Sequence, residues 1–261
     1  MSKSFQINAY LNHWLNAVDE HSIHSPFFFD FYNKVIKQDE PDGAAFSAIE
    51  KVRLKLLTDR TEVTIDDLGA KSPHFKNDKR ALSQVAQTSL STAAYCRLYN
   101  RIIHYIDAKQ ILELGTSMGI TTLYLAQKNN AHITTFEGSV SMIHVALTHF
   151  EYFNAQNIDL IEGNIDGTLS DYLLNGTKIN FVLMDANHRY DATMRYFHLI
   201  SKRISEKGII VLDDIHYSAE MARAWKELSR HQLVYGSVDL FRCGILFFDP
   251  ALNRQHYTWA L

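Results

Sequence analysis

The chain has 261 residues, 46% of them hydrophobic, with 26 basic against 29 acidic side chains and a formal net charge of -3 at pH 7. That length holds one large domain or a core domain with an extension, and the near-balanced charge excludes a general electrostatic affinity for nucleic acid. Cys96 and Cys243 stand alone, in no CxxC or Cys/His spacing, which excludes a disulfide framework or zinc site and predicts a reducing cytoplasm. The start, MSKSFQINAYLNHW, lacks a basic stretch leading into an apolar run, and no segment approaches the roughly 18 apolar residues of a membrane span, so neither secretion nor membrane insertion is expected.

Residues 1 to 105 read as a mostly helical region, with apolar and aromatic positions at helical spacing in AYLNHWLNAV, FFFDFYNKVI and AAYCRLYNRIIHYI. HSIHSPFFFDFY carries two histidines three apart with no third ligand nearby. Pro26 followed by aromatics reads there as a helix entering a core or a dimer contact, with a wall of the substrate pocket as the alternative, rather than as a metal site. Between the helices, TIDDLGAKSPHFKNDKR reads as an exposed loop or lid in which Lys71, Ser72, His74 and Lys76 are candidates to reach a substrate.

From about residue 106 to 261 the texture changes to apolar runs alternating with helical stretches: QILELG, HITTFEG, IDLIEGN, INFVLMD and GIIVLDD. That alternation predicts a Rossmann-like, doubly wound α/β domain of seven strands, mostly parallel and covered on both faces. After the helical HYSAEMARAWKELSR come LVYGSVDLF and CGILFF, whose link is too short for a parallel crossover, so the sheet ends in an antiparallel hairpin.

Open parallel sheets bind ligands beyond the carboxyl ends of their strands. After the first strand stands ELGTSMGITT, an acid and then two glycines in a turn that opens a helix. After the second comes Glu137, followed by Gly138, where such folds place a carboxylate against ribose hydroxyls. The ExGxxxG spacing lacks the third glycine of a dinucleotide site, which disfavours NAD. With GNIDGTL, LMDANH and the terminal hairpin, these motifs resemble the class I S-adenosylmethionine-dependent methyltransferases. The resemblance implies that Glu113, Gly115, Thr116, Ser117 and Gly119 hold the methionine end of S-adenosylmethionine, Glu137 and Gly138 the ribose, and Asn164 and Ile165 the adenine. Many members have Asp at the position of Asn164.

LMDANHRYDA and VLDDIHY end two adjacent strands, so Asp185, Asp213 and Asp214 are expected to cluster at one sheet edge, where like charges need neutralising. A hard divalent cation such as Mg2+ takes oxygen ligands of this kind. The pattern resembles the cation-dependent O-methyltransferases of the catechol and caffeoyl-CoA type, which implies Asp185, Asp213 and Asp214 as metal ligands, with a cofactor-binding or capping role for Asp185 as the alternative. The base, a Lys in that group, falls on His188 here. An imidazole takes a proton near neutral pH more readily than a lysine amine does. Asp214 replaces the usual Asn, and a metal-free enzyme with His188 or His216 as base stays open beside the metal reading. The expected function is O-methylation of a small-molecule hydroxyl in the cytoplasm. Methyl transfer to nitrogen and a non-catalytic binding protein of the same fold are the alternatives. No basic stripe with interleaved aromatics suggests a nucleic-acid partner, and a homodimer through the N-terminal helices is the expected assembly.

Overall fold

The computed structural model describes residues 3–38, 43–65, 79–128 and 130–260. In chain order its elements are helix α1 (Lys3–Asn16), a short 3-10 turn (Glu20–Ser22), α2 (Pro26–Phe31) running on into a π-helical turn (Tyr32–Ile36), and α3 (Ala44–Leu56). Strands β1 (Glu62–Thr64) and β2 (Lys79–Ala81) follow, then α4 (Leu82–Ser89) and α5 (Ala93–Tyr105). The alternating part is β3 (Gln110–Leu114), α6 (Ile120–Ala126), β4 (His132–Glu137), α7 (Val140–Tyr152), β5 (Ile158–Glu162), α8 (Ile165–Leu173), β6 (Ile179–Met184), α9 (Tyr190–Ile200), β7 (Ile204–Leu212) and α10 (Ala219–Leu228). Strands β8 (Gly236–Asp239), β9 (Gly244–Phe247) and β10 (Gln255–Thr258) close the chain.

Strands β3 to β10 form an eight-stranded sheet in the order β10-β8-β9-β7-β6-β3-β4-β5. The pairs β3–β4, β4–β5, β6–β7 and β8–β10 are parallel, and β9 runs antiparallel to both β7 and β8. This is the Rossmann-like α/β class with the terminal hairpin that the alternation predicts, carrying one strand more than the seven expected. The extra strand, β10, is the four-residue QHYT, too short and too polar to announce itself by periodicity.

The chain packs as two compact units, residues 39–171 and residues 1–38 with 172–261. In the first, Leu112 of β3 stands beside Thr134 of β4, and Thr134 beside Asp159 of β5. Leu123 and Tyr124 of α6 and Met142, Ala146 and Phe150 of α7 share one core with Ile49 and Leu56 of α3 and Val85 of α4. Each of the large aliphatic side chains and Phe150 contributes about 1.5–3 kcal/mol by leaving water. Helices α3 and α4 are thereby built into the core of this unit. Glu50 joins α3 to α6 by accepting from the Tyr124 hydroxyl at 2.7 Å, and it also accepts from Arg53 Nε of its own helix at 2.8 Å. The expected lid spans residues that lie mostly outside those described, Lys71, Ser72, His74 and Lys76 among them. Its two ends pair as the antiparallel ribbon β1–β2, with Glu62 opposite Ala81.

In the second unit, β6 and β7 are buried along most of their length, as continuous apolar runs require. The aromatic row of α2 is core: Phe28 and Phe31 meet Phe247 of β9 edge-on, at ring-centroid distances of 5.2 and 5.1 Å. The approach is close enough that a Cβ on Gly236 of β8 would lie 2.4 Å from the Phe28 ring. His21 and His24 beside this row are exposed. No helix among the described residues is long and apolar enough to cross a membrane.

Candidate active site

In the unit of residues 39–171, the turn after β3 is tied to the end of β4. Gly115 and Thr116 N–H both donate to the Phe136 carbonyl, at 3.1 and 3.0 Å. Gly115 and Gly119 hold φ of 99° and 76°, a region only glycine enters freely, and a Cβ on Gly119 would stand 2.6 Å from the Phe150 ring. Glu137 anchors the far side: Oε2 accepts from Ser117 N–H at 2.8 Å, and Oε1 from the N–H groups of Gly138 and Ser139 at 2.9 and 2.8 Å. A carboxylate offers about four acceptor positions, so Oε2 keeps a lone pair for another donor, as a ribose hydroxyl requires.

Glu113 does not lie where a ligand reaches it. It is fully buried, and Oε2 accepts from the hydroxyls of Thr122 and Thr135 at 2.5 and 2.7 Å, while Oε1 meets no donor among the described residues. Thr116 Oγ1 extends this chain by bonding Thr135 Oγ1 at 2.6 Å. Burial raises the Glu113 carboxyl to about 7, against the pull of the two threonine hydroxyls, and the nearby Glu137 charge adds to the rise. The first acid of the motif is therefore a support of the turn rather than a ligand contact. Asn164 also has local work: its Oδ1 accepts from Asp166 N–H at 2.9 Å in the first turn of α8, leaving the side-chain amide as its outward donor. Ile165 beside it is half-buried.

In the other unit, Asp185 follows β6 and Asp213 and Asp214 follow β7, with Asp213 N–H donating to the Met184 carbonyl at 3.0 Å. The three acids do share an edge, but a guanidinium, missed in the sequence, holds the buried one. Arg242, in the link between β8 and β9, reaches the fully buried Asp213 with two prongs. Nε donates to Oδ1 at 3.2 Å and Nη2 to Oδ2 at 3.1 Å, and Nε lies 3.9 Å from Asp214 Oδ1. The counter-charge of Asp213, the buried member of the three, is thus supplied by the chain itself. Among the described residues no group of three His, Cys, Asp or Glu is spaced to hold a metal ion, so the three-carboxylate Mg2+ cluster does not fit the side chains present. The sequence did contain a signal for Arg242: it is the one basic residue in DLFRCG, the short hairpin link that returns to this same edge.

His188 sits with its Nε2 3.6 Å from Asp185 Oδ1, and its ring lies 5.8 Å from that of Tyr217. Asp214 is pushed up, first by burial and then by the adjacent Asp213 charge, with His188 and Arg242 pulling it down. Left-handed backbone gathers at these strand ends: Ser117 (φ 48°) after β3, Asn187 (67°) and His188 (42°) after β6, Asp214 (53°) after β7 and Phe241 (66°) after β8. Each such non-glycine residue costs of order 1–3 kcal/mol, strain that folded proteins hold mainly where function requires it.

Comparison with known proteins places this geometry. Residues 112–215 match the model of a methyltransferase domain family, Methyltransf_24. That match runs from β3 to the turn after β7 and covers less than half of the chain. Among solved structures it is similar to Podospora anserina methyltransferase PaMTH1 with S-adenosylhomocysteine bound, at 15% identity over 87% of this chain and 97% of that one, TM-score 0.61. It is also similar to the O-methyltransferase TomG of Streptomyces achromogenes in complex with S-adenosylmethionine, at 15% identity over 80% and 91% of the two chains, TM-score 0.58. A Bacillus cereus O-methyltransferase with S-adenosylhomocysteine aligns at 14% identity over 84% and 95%, TM-score 0.56. At such identities the likeness is one of fold. No curated protein matches the sequence.

Proposed function

We propose that the chain is an S-adenosylmethionine-dependent O-methyltransferase that methylates a hydroxyl of a small molecule, with a histidine rather than a metal ion handling the proton. The observation that carries this reading is the pairing of His188, held at φ 42°, with Asp185, 3.6 Å apart at the end of β6, on a strand edge whose buried acid is already neutralised by Arg242. The solved methyltransferases of this fold that hold S-adenosylmethionine or its product support the cofactor. When bound, that cofactor supplies an electrophilic methyl group.

Glu137 Oε2 would accept from the ribose hydroxyls, with Gly138 leaving the approach open. The turn of Gly115, Thr116, Ser117 and Gly119 would hold the methionine end, and Asn164 and Ile165 would border the adenine. His188 accepts the proton of the acceptor hydroxyl, and Asp185 stabilises the imidazolium that results, so the oxygen is left with the electron pair that attacks carbon. Asp213 and Arg242 hold the edge in place, and Arg242 lends positive potential toward the developing oxyanion.

Methyl transfer from labelled cofactor to catechol and to methyl glucoside tests the reading. The rate in excess chelator should equal that in Mg2+, and His188→Ala should lower kcat by about 10²–10⁴-fold and remove the limb of the pH profile set by the base. Activity abolished by chelator and restored by Mg2+ would overturn the metal-free mechanism.

A further inference from the structure

Helix α1 is attached to its unit, residues 1–38 with 172–261, by one side only. His13 is buried there, with Nε2 3.3 Å from the Asp239 carbonyl oxygen and 3.4 Å from its Oδ1. The Tyr10 ring meets that of Phe241 edge-on at 5.2 Å, and just past the helix Val18 N–H donates to the Thr258 carbonyl at 2.9 Å. Asn8, Asn12 and Asn16, one helical turn apart, line the groove between α1 and the strand ends Asp239 and Thr258. The polar face of α1 thus borders its own unit, the reverse of an ordinary surface helix.

The apolar face is left outside. Ile7, Leu11, Trp14 and Leu15 keep 59, 48, 64 and 70% of their surfaces exposed. At 3.6 residues per turn they fall within roughly 100° of the helix circumference, so they form one continuous stripe. A single exposed leucine is ordinary, whereas a stripe of four large apolar side chains marks an interaction surface.

Charge narrows the occupant. Between Gln6 and Val18 the sequence holds no Lys, Arg, Asp or Glu. A helix that lies on a lipid surface carries cations along its polar face, where α1 has asparagines. An uncharged stripe meets a copy of itself without setting like charges together.

The spacing of the stripe is also self-complementary. Leu11 stands midway between Ile7 and Leu15, so antiparallel pairing about a two-fold axis at Leu11 lays Ile7 of each copy against Leu15 of the other. The same register brings the helix start, at Lys3, to the exposed Asp19 just past the helix end of the second copy, and sets opposite ends of the two helix dipoles side by side. Side chains this exposed present roughly 500 Å² per copy, or about 1,000 Å² for the pair, which reaches the size of a specific interface. Trp14 supplies the kind of anchor on which such interfaces depend.

We propose that α1 is a dimerisation surface, and that two copies of the chain pair through it as antiparallel helices crossing at Leu11. Sedimentation equilibrium of the full chain over a wide concentration range should give the mass of two chains at the upper end. Leu11→Arg sets two like charges face to face at the axis and should raise the dissociation constant at least tenfold. Because Leu11 is exposed, the change leaves the core intact, which circular dichroism checks. Leu11→Cys should couple to its own counterpart in copper phenanthroline and give a covalent dimer, faster than Leu174→Cys, a substitution at a side chain 78% exposed and away from α1. The native Cys96 and Cys243 are buried and do not compete.

The mass of one chain at every concentration, a dimer indifferent to Leu11→Arg, or coupling no faster in Leu11→Cys than in Leu174→Cys would each overturn the assignment. So would a single chain that floats with phosphatidylcholine and phosphatidylserine vesicles and loses that property in Leu11→Arg, which would give the stripe to a lipid surface.

Discussion

Two carboxyl groups near strand ends, Glu113 within the run QILEL and Asp213 after IIVL, are both fully buried, and they are kept from carrying an unpaired charge by different means. Glu113 receives two neutral hydroxyls, and burial raises it to about 7, so it keeps its proton to a higher pH than an exposed carboxyl does. Asp213 receives a two-pronged guanidinium from Arg242. The first arrangement makes the glycine turn sensitive to pH. The second makes the acid edge independent of an added cation and dependent on a single side chain.

The sharpest way to break the contrast is Arg242→Met. It strands a buried charge, and should cost roughly 3–5 kcal/mol in denaturant unfolding, most of which returns in Arg242→Met/Asp213→Asn. A loss under about 1 kcal/mol would mean that Arg242 is not the counter-ion of Asp213.

The next effect belongs to Glu113. Its folded value, about 7, lies above the ordinary 4.5, so its favourable contribution is complete below pH 4.5 and is lost as pH rises through 7. At about 1.4 kcal/mol per pH unit the loss comes to roughly 3.5 kcal/mol, and Glu113→Gln should flatten the stability profile over that window. Unfolding curves at pH 4.5, 6 and 8 check it.

Gly119→Ala should cost about 1–3 kcal/mol, since it sets a methyl against the Phe150 ring and holds alanine at φ 76°. Phe150→Ala in the same chain should relieve the clash but not the backbone strain, which urea unfolding of the pair separates. The smallest effect expected is that of chelator on folding: the melting temperature should be the same in Mg2+ and in EDTA.

How much of this was legible in the sequence follows the range of the interactions. Strand β6 and the IIVL end of β7 are nearly continuous apolar runs, and the alternation of such short runs with helices carries the sheet class, the hairpin and the strand-end location of Glu137, Asp185 and His188. The burial of Glu113 was hidden because its partners, Thr122 and Thr135, belong to α6 and β4 and become neighbours only when the sheet forms. Arg242 was hidden for the same reason, standing 29 positions from the acid it neutralises. With that pairing out of view, a cation was the natural remedy for three clustered acids. The polar face of α1 went unremarked because periodicity finds the apolar face and assumes that it points inward.

The central claim is S-adenosylmethionine binding at an edge that needs no metal. Calorimetric titration of the chain with S-adenosylmethionine, in Mg2+ and again in chelator with NAD as control, tests it most directly. Micromolar affinity, equal in both conditions and absent for NAD, is the predicted result. No S-adenosylmethionine binding, or binding that appears only with Mg2+, would contradict it.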